Sequence, residues 1–246
     1  MESLQYFAKE GSFKGKNIVI TGANGGVGSI VAETLLQCGA RVIAVGRNEK
    51  KILAKFEKYI KDKRYNFGYE LINLEDPAGI NRGFKSVMLK LKGKIDSLIF
   101  CHGKFVAGKI ADATVDVFDS SLNVNVRSCF HLLSIATPFL KISKGNVVAV
   151  SSVEAKVPVK ESFVNSLSKT MLNSLIECSA LELAPFGVRV NGVAPAITAT
   201  NIRVADEFTE TQNQEFLEQM GSFFLLNKEV SIVIKFFTFL TKFYFF

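Results

Sequence analysis

The residues best suited to chemistry stand near the start of the chain, in TGANGGVG from Thr21 to Gly28. Glycine reaches positive φ without strain and lets a second backbone or a ligand approach closely. Gly22, Gly25, Gly26 and Gly28 follow an apolar run, Asn17 to Ile20, that reads as a strand. Val27, Ile30, Val31, Leu35 and Cys38 then recur three or four apart, the spacing of an amphipathic helix. The first turn of such a helix has unpaired N–H groups at the positive end of its dipole. A glycine turn opening onto it suits a diphosphate. Gly22, Asn24, Gly26, Val27 and Gly28 are therefore candidate dinucleotide contacts.

A second chemical signal is VGRN, Val45 to Asn48. A fold that prefers NAD usually ends its second strand on a carboxylate for the ribose hydroxyls. Here no acid is present, and Arg47 offers a guanidinium fork that grips phosphate at two points. NADP is the expected cofactor, ahead of NAD. The net charge of +7 draws on a basic cluster from Lys50 to Arg64. Most of that cluster lies on one predicted helix with Ile52, Leu53 and Phe56 as its apolar positions. A solvated helix face and attraction of an anionic cofactor account for it without nucleic acid. Cys38, Cys101, Cys129 and Cys178 are dispersed in apolar segments, which suits core packing in a reducing compartment. With only His102 and His131 besides, no zinc-type spacing appears, and no metal site is expected.

Strand and helix must alternate to position these groups. Arg41–Val45, Phe67–Leu74, Asp96–Cys101, Asn146–Ser151 and Val188–Val193 read as further strands. Helical patterns cover Ile80–Leu91, Val115–Leu140 with a bend near Pro138, and Phe163–Leu183. The fold class is α/β: a Rossmann-type, doubly wound parallel sheet of about six strands with helices on both faces. Right-handed crossovers put the ligand crevice at the carboxyl ends of the strands. No linker divides residues 1–246, so one dinucleotide-binding domain is expected. The first residues show no signal-peptide core and no spanning helix is evident, which points to the cytoplasm.

From about Lys14 to Thr200 the chain resembles the short-chain dehydrogenase/reductase family, and the 3-oxoacyl reductases within it. TGANGGVG is similar to the TGxxxGxG cofactor loop. NVRS, VSSV, NSLSKTML and VRVNGVAPAITAT match further motifs in the right order. The resemblance implies catalytic roles for Asn125, Ser152 and Lys169. It assigns Asn73 to the adenine, His102 and Gly103 to the cofactor ribose region, and Lys169, Pro195 and Thr200 to the nicotinamide end. It also implies a departure. The family tyrosine stands four residues before the lysine, and that position is Asn165. In relatives the tyrosine hydroxyl gives the proton that carbonyl reduction requires. An amide donates a hydrogen bond but does not titrate usefully. His102, which titrates near neutrality, is a less favoured proton source. Pro195–Ala196 stands for the family's PG, which Ala196 tolerates only at negative φ.

The tail is the other departure. Against the resemblance, the family's last strand is expected to be missing, and Lys228–Phe246 has a polar stripe of Ser231, Lys235, Thr238 and Lys242. That is an amphipathic helix pattern. Its apolar face points to packing on the sheet edge, a homo-oligomer or a protein partner, with a membrane surface as the second reading. Two functions fit the whole. One is an NADP(H)-binding protein descended from an oxidoreductase, catalytically impaired and structural or regulatory. The other is an active NADPH-dependent carbonyl or 3-oxoacyl reductase with another proton source.

Overall fold

The computed structural model describes residues 11–195, together with 209 and 211. Ala196, Thr200 and the tail Lys228–Phe246 lie outside the described residues. Six strands form one sheet: β1 Asn17–Thr21, β2 Arg41–Gly46, β3 Asn66–Leu71, β4 Ser97–Phe100, β5 Asn146–Val150 and β6 Arg189–Val193. Their order is β3-β2-β1-β4-β5-β6, and every pairing is parallel. The α/β reading of the sequence holds in both strand number and connection.

Strands buried on both faces need apolar residues in near-continuous runs, and NIVIT, RVIAVG and NVVAV supply them. The period of two then divides those runs between two cores. Ile43, Val19, Leu98, Val147 and Val190 are in register across the sheet and pack on one face. That face is covered by α3 Pro77–Lys90, α5 Ser128–Ser143 and α6 Phe163–Leu183. Ile18, Ile20, Val42, Ala44, Ile99 and Val148 face the other way, against α1 Gly26–Gln37 and α2 Glu49–Lys61. Burying each such side chain is worth about 1.5–3 kcal/mol.

Three expectations need correction. In α2 the buried positions are Ile52, Phe56 and Tyr59, whereas Leu53 is exposed. Tyr59 is buried because its ring meets Tyr65 edge-on and its hydroxyl accepts from Gln37. The long helical region does not hinge at Pro138, which α5 passes through. Its irregularity comes earlier, between α4 Val115–Leu122 and α5, as a π-helical turn at Asn123–Arg127. Cys178 is exposed on α6, so core packing does not explain it, while Cys38 and Cys129 are buried and all four thiols are free. Among the described residues, no helix is long and apolar enough to cross a membrane.

Candidate functional site

The strand order reverses direction between β1 and β4, and this is where an open parallel sheet forms its crevice. The candidate residues follow the carboxyl ends of the strands along this edge: Asn73 beyond β3, Arg47 beyond β2, Gly22 beyond β1, His102 and Gly103 beyond β4, Ser152 beyond β5, and Pro195 beyond β6.

The glycine loop is built for close approach. Gly22 has φ +64°, and a Cβ there would lie 2.6 Å from the backbone N of His102. A Cβ on Gly28 would lie 2.3 Å from the Gly22 carbonyl oxygen. These two glycines let α1 and the β4 loop close onto the end of β1. Gly25 and Gly26 are exposed at the mouth. Helices α2, α3 and α4 carry side-chain caps from Asn48, Asp76 and Thr114, but α1 has neither a side-chain cap nor an acidic residue in its first turn. Its leading N–H groups are thus uncovered by side chains, and the donor set fits a diphosphate. Asn24 turns toward β2, where its Oδ1 fills the space a Cβ on Gly46 would take. Val27 packs its half-buried side chain against the core.

Arg47 is largely exposed, and its Nη1 lies 3.8 Å from Glu75 Oε1. The partner of this guanidinium within the chain is therefore a carboxylate that sequence reasoning did not identify. Glu75 is fixed in turn: its carbonyl accepts from Arg127 Nη2 at 2.7 Å and its Oε2 accepts from Ser120. Asn73 is exposed, with Oδ1 accepting from the Glu75 N–H at 3.1 Å.

His102 joins the two halves of the crevice. Nδ1 meets Thr21 Oγ1 at 2.5 Å, and Nε2 faces the Val124 carbonyl at 3.1 Å and Ser128 Oγ at 2.7 Å. A carbonyl can only accept, so Nε2 carries the hydrogen and Nδ1 accepts from Thr21. Desolvation, helped by the charge of Lys169, pushes the imidazole down to about 3. His102 is thus a neutral brace between β1 and the π-helical turn. Both ring nitrogens are taken, which removes it as a proton source for a substrate.

The irregular turn places Asn125 in the interior. Its Oδ1 accepts from Lys104 N at 2.7 Å and its Nδ2 donates to the Lys104 carbonyl at 2.9 Å. The amide therefore clamps the loop after β4 by a reciprocal pair of bonds. Nδ2 also donates to Ser168 Oγ at 2.9 Å. A Cβ on Gly103 would be 3.5 Å from both Asn125 Oδ1 and Lys169 Nζ, so Gly103 brings these groups to one place. Lys169 is buried and donates to the Val150 carbonyl at 2.9 Å. Desolvation lowers its pKa, partly opposed by Cys129, Glu154 and Cys101. Burial in turn raises both thiols, Cys129 up to about 12, so they stay neutral.

The segment after β5 is pinned to the end of β6, with Val153 N donating to the Pro195 carbonyl at 3.1 Å. Ser151 is buried and donates to Asn173 at 2.5 Å, which leaves Ser152 as the half-buried serine of the pair. Ser152 Oγ accepts from Glu154 N at 3.2 Å. Asn165 is buried on the first turn of α6, and its Nδ2 donates to Glu154 Oε2 at 2.5 Å. Ser162 Oγ donates to the same oxygen. Glu154 went unrecognised in the sequence because it belongs to no motif. The only signal for it was a carboxylate two residues beyond Ser152.

The chain is similar to known proteins over most of its length. The family model for short chain dehydrogenases matches residues 16–211. An uncharacterized oxidoreductase of Staphylococcus epidermidis is 28% identical over 205 residues, covering 82% of this chain and 86% of that one. A tropinone reductase homolog of Arabidopsis thaliana is 30% identical over 205 residues, covering 80% and 75%. Among solved structures, a short-chain dehydrogenase/reductase of unknown function from Caenorhabditis elegans, crystallised with cofactor, has a TM-score of 0.78 at 26% identity. The match covers 85% of this chain and 80% of that one.

Proposed function

The chain belongs to the short-chain dehydrogenase family, and on that premise we propose that it binds NADP(H), is impaired in carbonyl turnover, and acts in a structural or regulatory role. Its kinship with oxidoreductases rests on the family match and the relatives. The observation that carries the reading is Asn165. The residue where the family resemblance expects a phenolic acid is an amide, and its N–H is committed to the Glu154 carboxylate. Losing a general acid costs roughly 10²- to 10⁴-fold in rate, or about 3–5 kcal/mol.

The first turn of α1, with Gly22, Asn24, Gly26, Val27 and Gly28, would hold the diphosphate, and Asn73 the adenine side. Arg47 would take the phosphate that distinguishes NADP from NAD, after giving up Glu75. His102 and Gly103 shape the middle of the crevice, and Pro195 and Thr200 the nicotinamide end. A bound nicotinamide dinucleotide supplies hydride. The chain's own candidates for the substrate end are Ser152, whose hydroxyl would hold the substrate oxygen, and Lys169 with Asn125, which are placed to support a proton path at Gly103. The convergence of these two at Gly103 favours a second reading, an active carbonyl or 3-oxoacyl reductase with a proton source other than tyrosine.

A fluorescence titration with NADPH and with NADH tests binding, followed by turnover assays on ketones and acyl thioesters. Binding of NADPH with slow turnover supports the first reading. Rapid turnover at neutral pH that is lost in Lys169→Ala and Ser152→Ala establishes the second. Absence of binding at millimolar dinucleotide removes both. We further propose self-association, because α6 exposes Leu167 and Met171.

A further inference from the structure

The proposed cofactor contacts leave one carboxylate at the substrate end without a task. Glu154 sits on the short turn after β5. Val153 on the same turn donates its N–H to the Pro195 carbonyl at 3.1 Å, and Glu154 N donates to Ser152 Oγ at 3.2 Å. The Glu154 side chain reaches the start of α6, where Oε2 accepts from Asn165 Nδ2 and from Ser162 Oγ, both at 2.5 Å. Lys169, one turn beyond Asn165 on α6, is the cation that faces it. Two donors and a neighbouring ammonium favour the ionised carboxylate over the acid. The other titratable groups around Lys169 are His102, Cys101 and Cys129, which burial keeps neutral.

Position 165 thus departs from the family resemblance in charge as well as in acidity. A lysine beside a neutral phenol puts no anion at this end of the crevice. Here an amide replaces the phenol and holds a carboxylate, so the site is one unit of charge more negative. The two forms of a nicotinamide dinucleotide differ at the same end: the oxidised ring carries a positive charge, and the reduced ring is neutral. We propose that Glu154 makes the crevice selective for the oxidised dinucleotide, so that the chain takes up NADP+ in preference to NADPH. The inference rests on the dinucleotide reading above, which puts the nicotinamide at the Pro195 and Lys169 end. It deepens the regulatory role, because occupancy of the crevice then follows the ratio of oxidised to reduced dinucleotide. No direct contact is required, since attraction between charges in a partly desolvated cleft acts beyond hydrogen-bond distance. Asn165 gains a use that does not depend on titration: its amide holds the anion at the head of α6.

The test titrates the whole chain by calorimetry with NADP+, NADPH and 2′-phospho-ADP-ribose, which lacks the nicotinamide. NADP+ is expected to bind about tenfold more tightly than NADPH, the size of one charge–charge interaction at the effective screening of a protein cleft. Glu154→Gln retains an acceptor for Asn165 and Ser162 but removes the charge. It is expected to weaken NADP+ about tenfold and to leave NADPH and 2′-phospho-ADP-ribose unchanged. Glu154→Asp keeps the charge and is expected to keep a preference for NADP+. Thermal unfolding gives a second readout: at equal concentration NADP+ raises Tm more than NADPH in the native chain, and equally in Glu154→Gln. Circular dichroism checks the fold of each variant. Equal affinity of the native chain for the two forms, a tighter hold on NADPH, or a preference that survives in Glu154→Gln each overturns the assignment. So does a loss in Glu154→Gln that extends to 2′-phospho-ADP-ribose, since the carboxylate would then act on the fold and not on the charged ring. Failure of the native chain to bind any of the three ligands instead overturns the dinucleotide reading on which it rests.

Discussion

The two ends of the crevice are built on opposite principles. At the glycine loop, donors are left open: α1 lacks a side-chain cap, its first turn lacks an acid, and Gly25 and Gly26 are exposed. At the substrate end, side-chain donors already have partners within the chain: Lys169 is bonded to Val150, Asn125 to Lys104, and Asn165 to Glu154. An open helix terminus suits an anion, whereas an internally bonded cluster holds its own geometry. On the proposed assignments the two ends share only Lys169, so a change at the glycine loop and a change at Asn165 would act on different functions. Experiments that strike one end and spare the other sharpen this contrast. An experiment that moves both ends together breaks it.

His102 touches both ends, so it produces the largest effect. Its pKa falls from 6.5 unfolded to about 3 folded. A histidine held neutral in the fold stabilises fully above pH 6.5, and that stability is lost progressively as pH falls toward 3. The total is about 3–5 kcal/mol, of which about 2–3 kcal/mol is gone by pH 4.5. Urea unfolding at pH 7.5 and 4.5 measures it. His102→Gln, which does not titrate, is expected to flatten the dependence. An unchanged slope in that variant would place the acid-sensitive group elsewhere.

Gly28→Ala strikes the glycine loop alone. The new methyl would meet the Gly22 carbonyl at 2.3 Å, and the obstacle is backbone, so the first turn of α1 must shift. Overpacking of this kind costs about 1–3 kcal/mol. Dinucleotide affinity is expected to fall about a hundredfold, equivalent to about 2.7 kcal/mol. Thiol accessibility of Cys129 on α5 monitors the other end and should not change.

Asn165→Tyr strikes the opposite end. A phenol supplied at this position is expected to raise reductase activity at pH 7 by about a hundredfold and to leave NADPH binding unaltered. The gain is expected to be larger in Asn165→Tyr with Glu154→Gln. A phenol that donates to a carboxylate is harder to ionise, as Tyr69 illustrates, where the bond to Glu49 raises its pKa. Equal rates in the single and double variants would show that Glu154 does not govern position 165.

The same contrast explains what the sequence made legible. Strand order, helix faces and the glycine loop were readable because each depends on local pattern: periods of two and of 3.6, and glycines at a strand end. Asn165 was readable because it breaks a fixed spacing to Lys169. The partners of these residues were not readable. Glu154 and Asn165 are brought together where the short turn after β5 packs on α6, and Arg47 meets Glu75 through the pairing of β2 with β3. The π-helical turn was also hidden, since NVNVR has an ordinary helical composition and the bond of Asn125 to Lys104 is made only in the fold. His102 looked like a titrating group until its neighbours were known. Its neutrality is a property of Thr21, Val124 and Ser128, which are far away in the chain.

The smallest effect concerns cofactor choice, at Arg47. Its guanidinium is largely exposed and lies 3.8 Å from Glu75, so the pair contributes at most about 1 kcal/mol. A phosphate offers the same fork two-point, charge-assisted bonds, which are stronger than this single long contact. Glu75 is therefore a weak internal competitor, placed where an incoming phosphate would lie. Arg47→Ala is expected to lower NADPH affinity about tenfold (about 1.4 kcal/mol) and to leave NADH affinity unchanged. Glu75→Gln is expected to raise NADPH affinity two- to fivefold, roughly the range for releasing an exposed ion pair, again with no effect on NADH. Paired titrations at low and high salt separate this from general charge, because the pair and the phosphate contact are both screened. If Arg47→Ala weakens NADPH and NADH alike, the arginine acts on the common diphosphate or on the loop itself. That outcome would remove Arg47 as the basis of the proposed NADP preference.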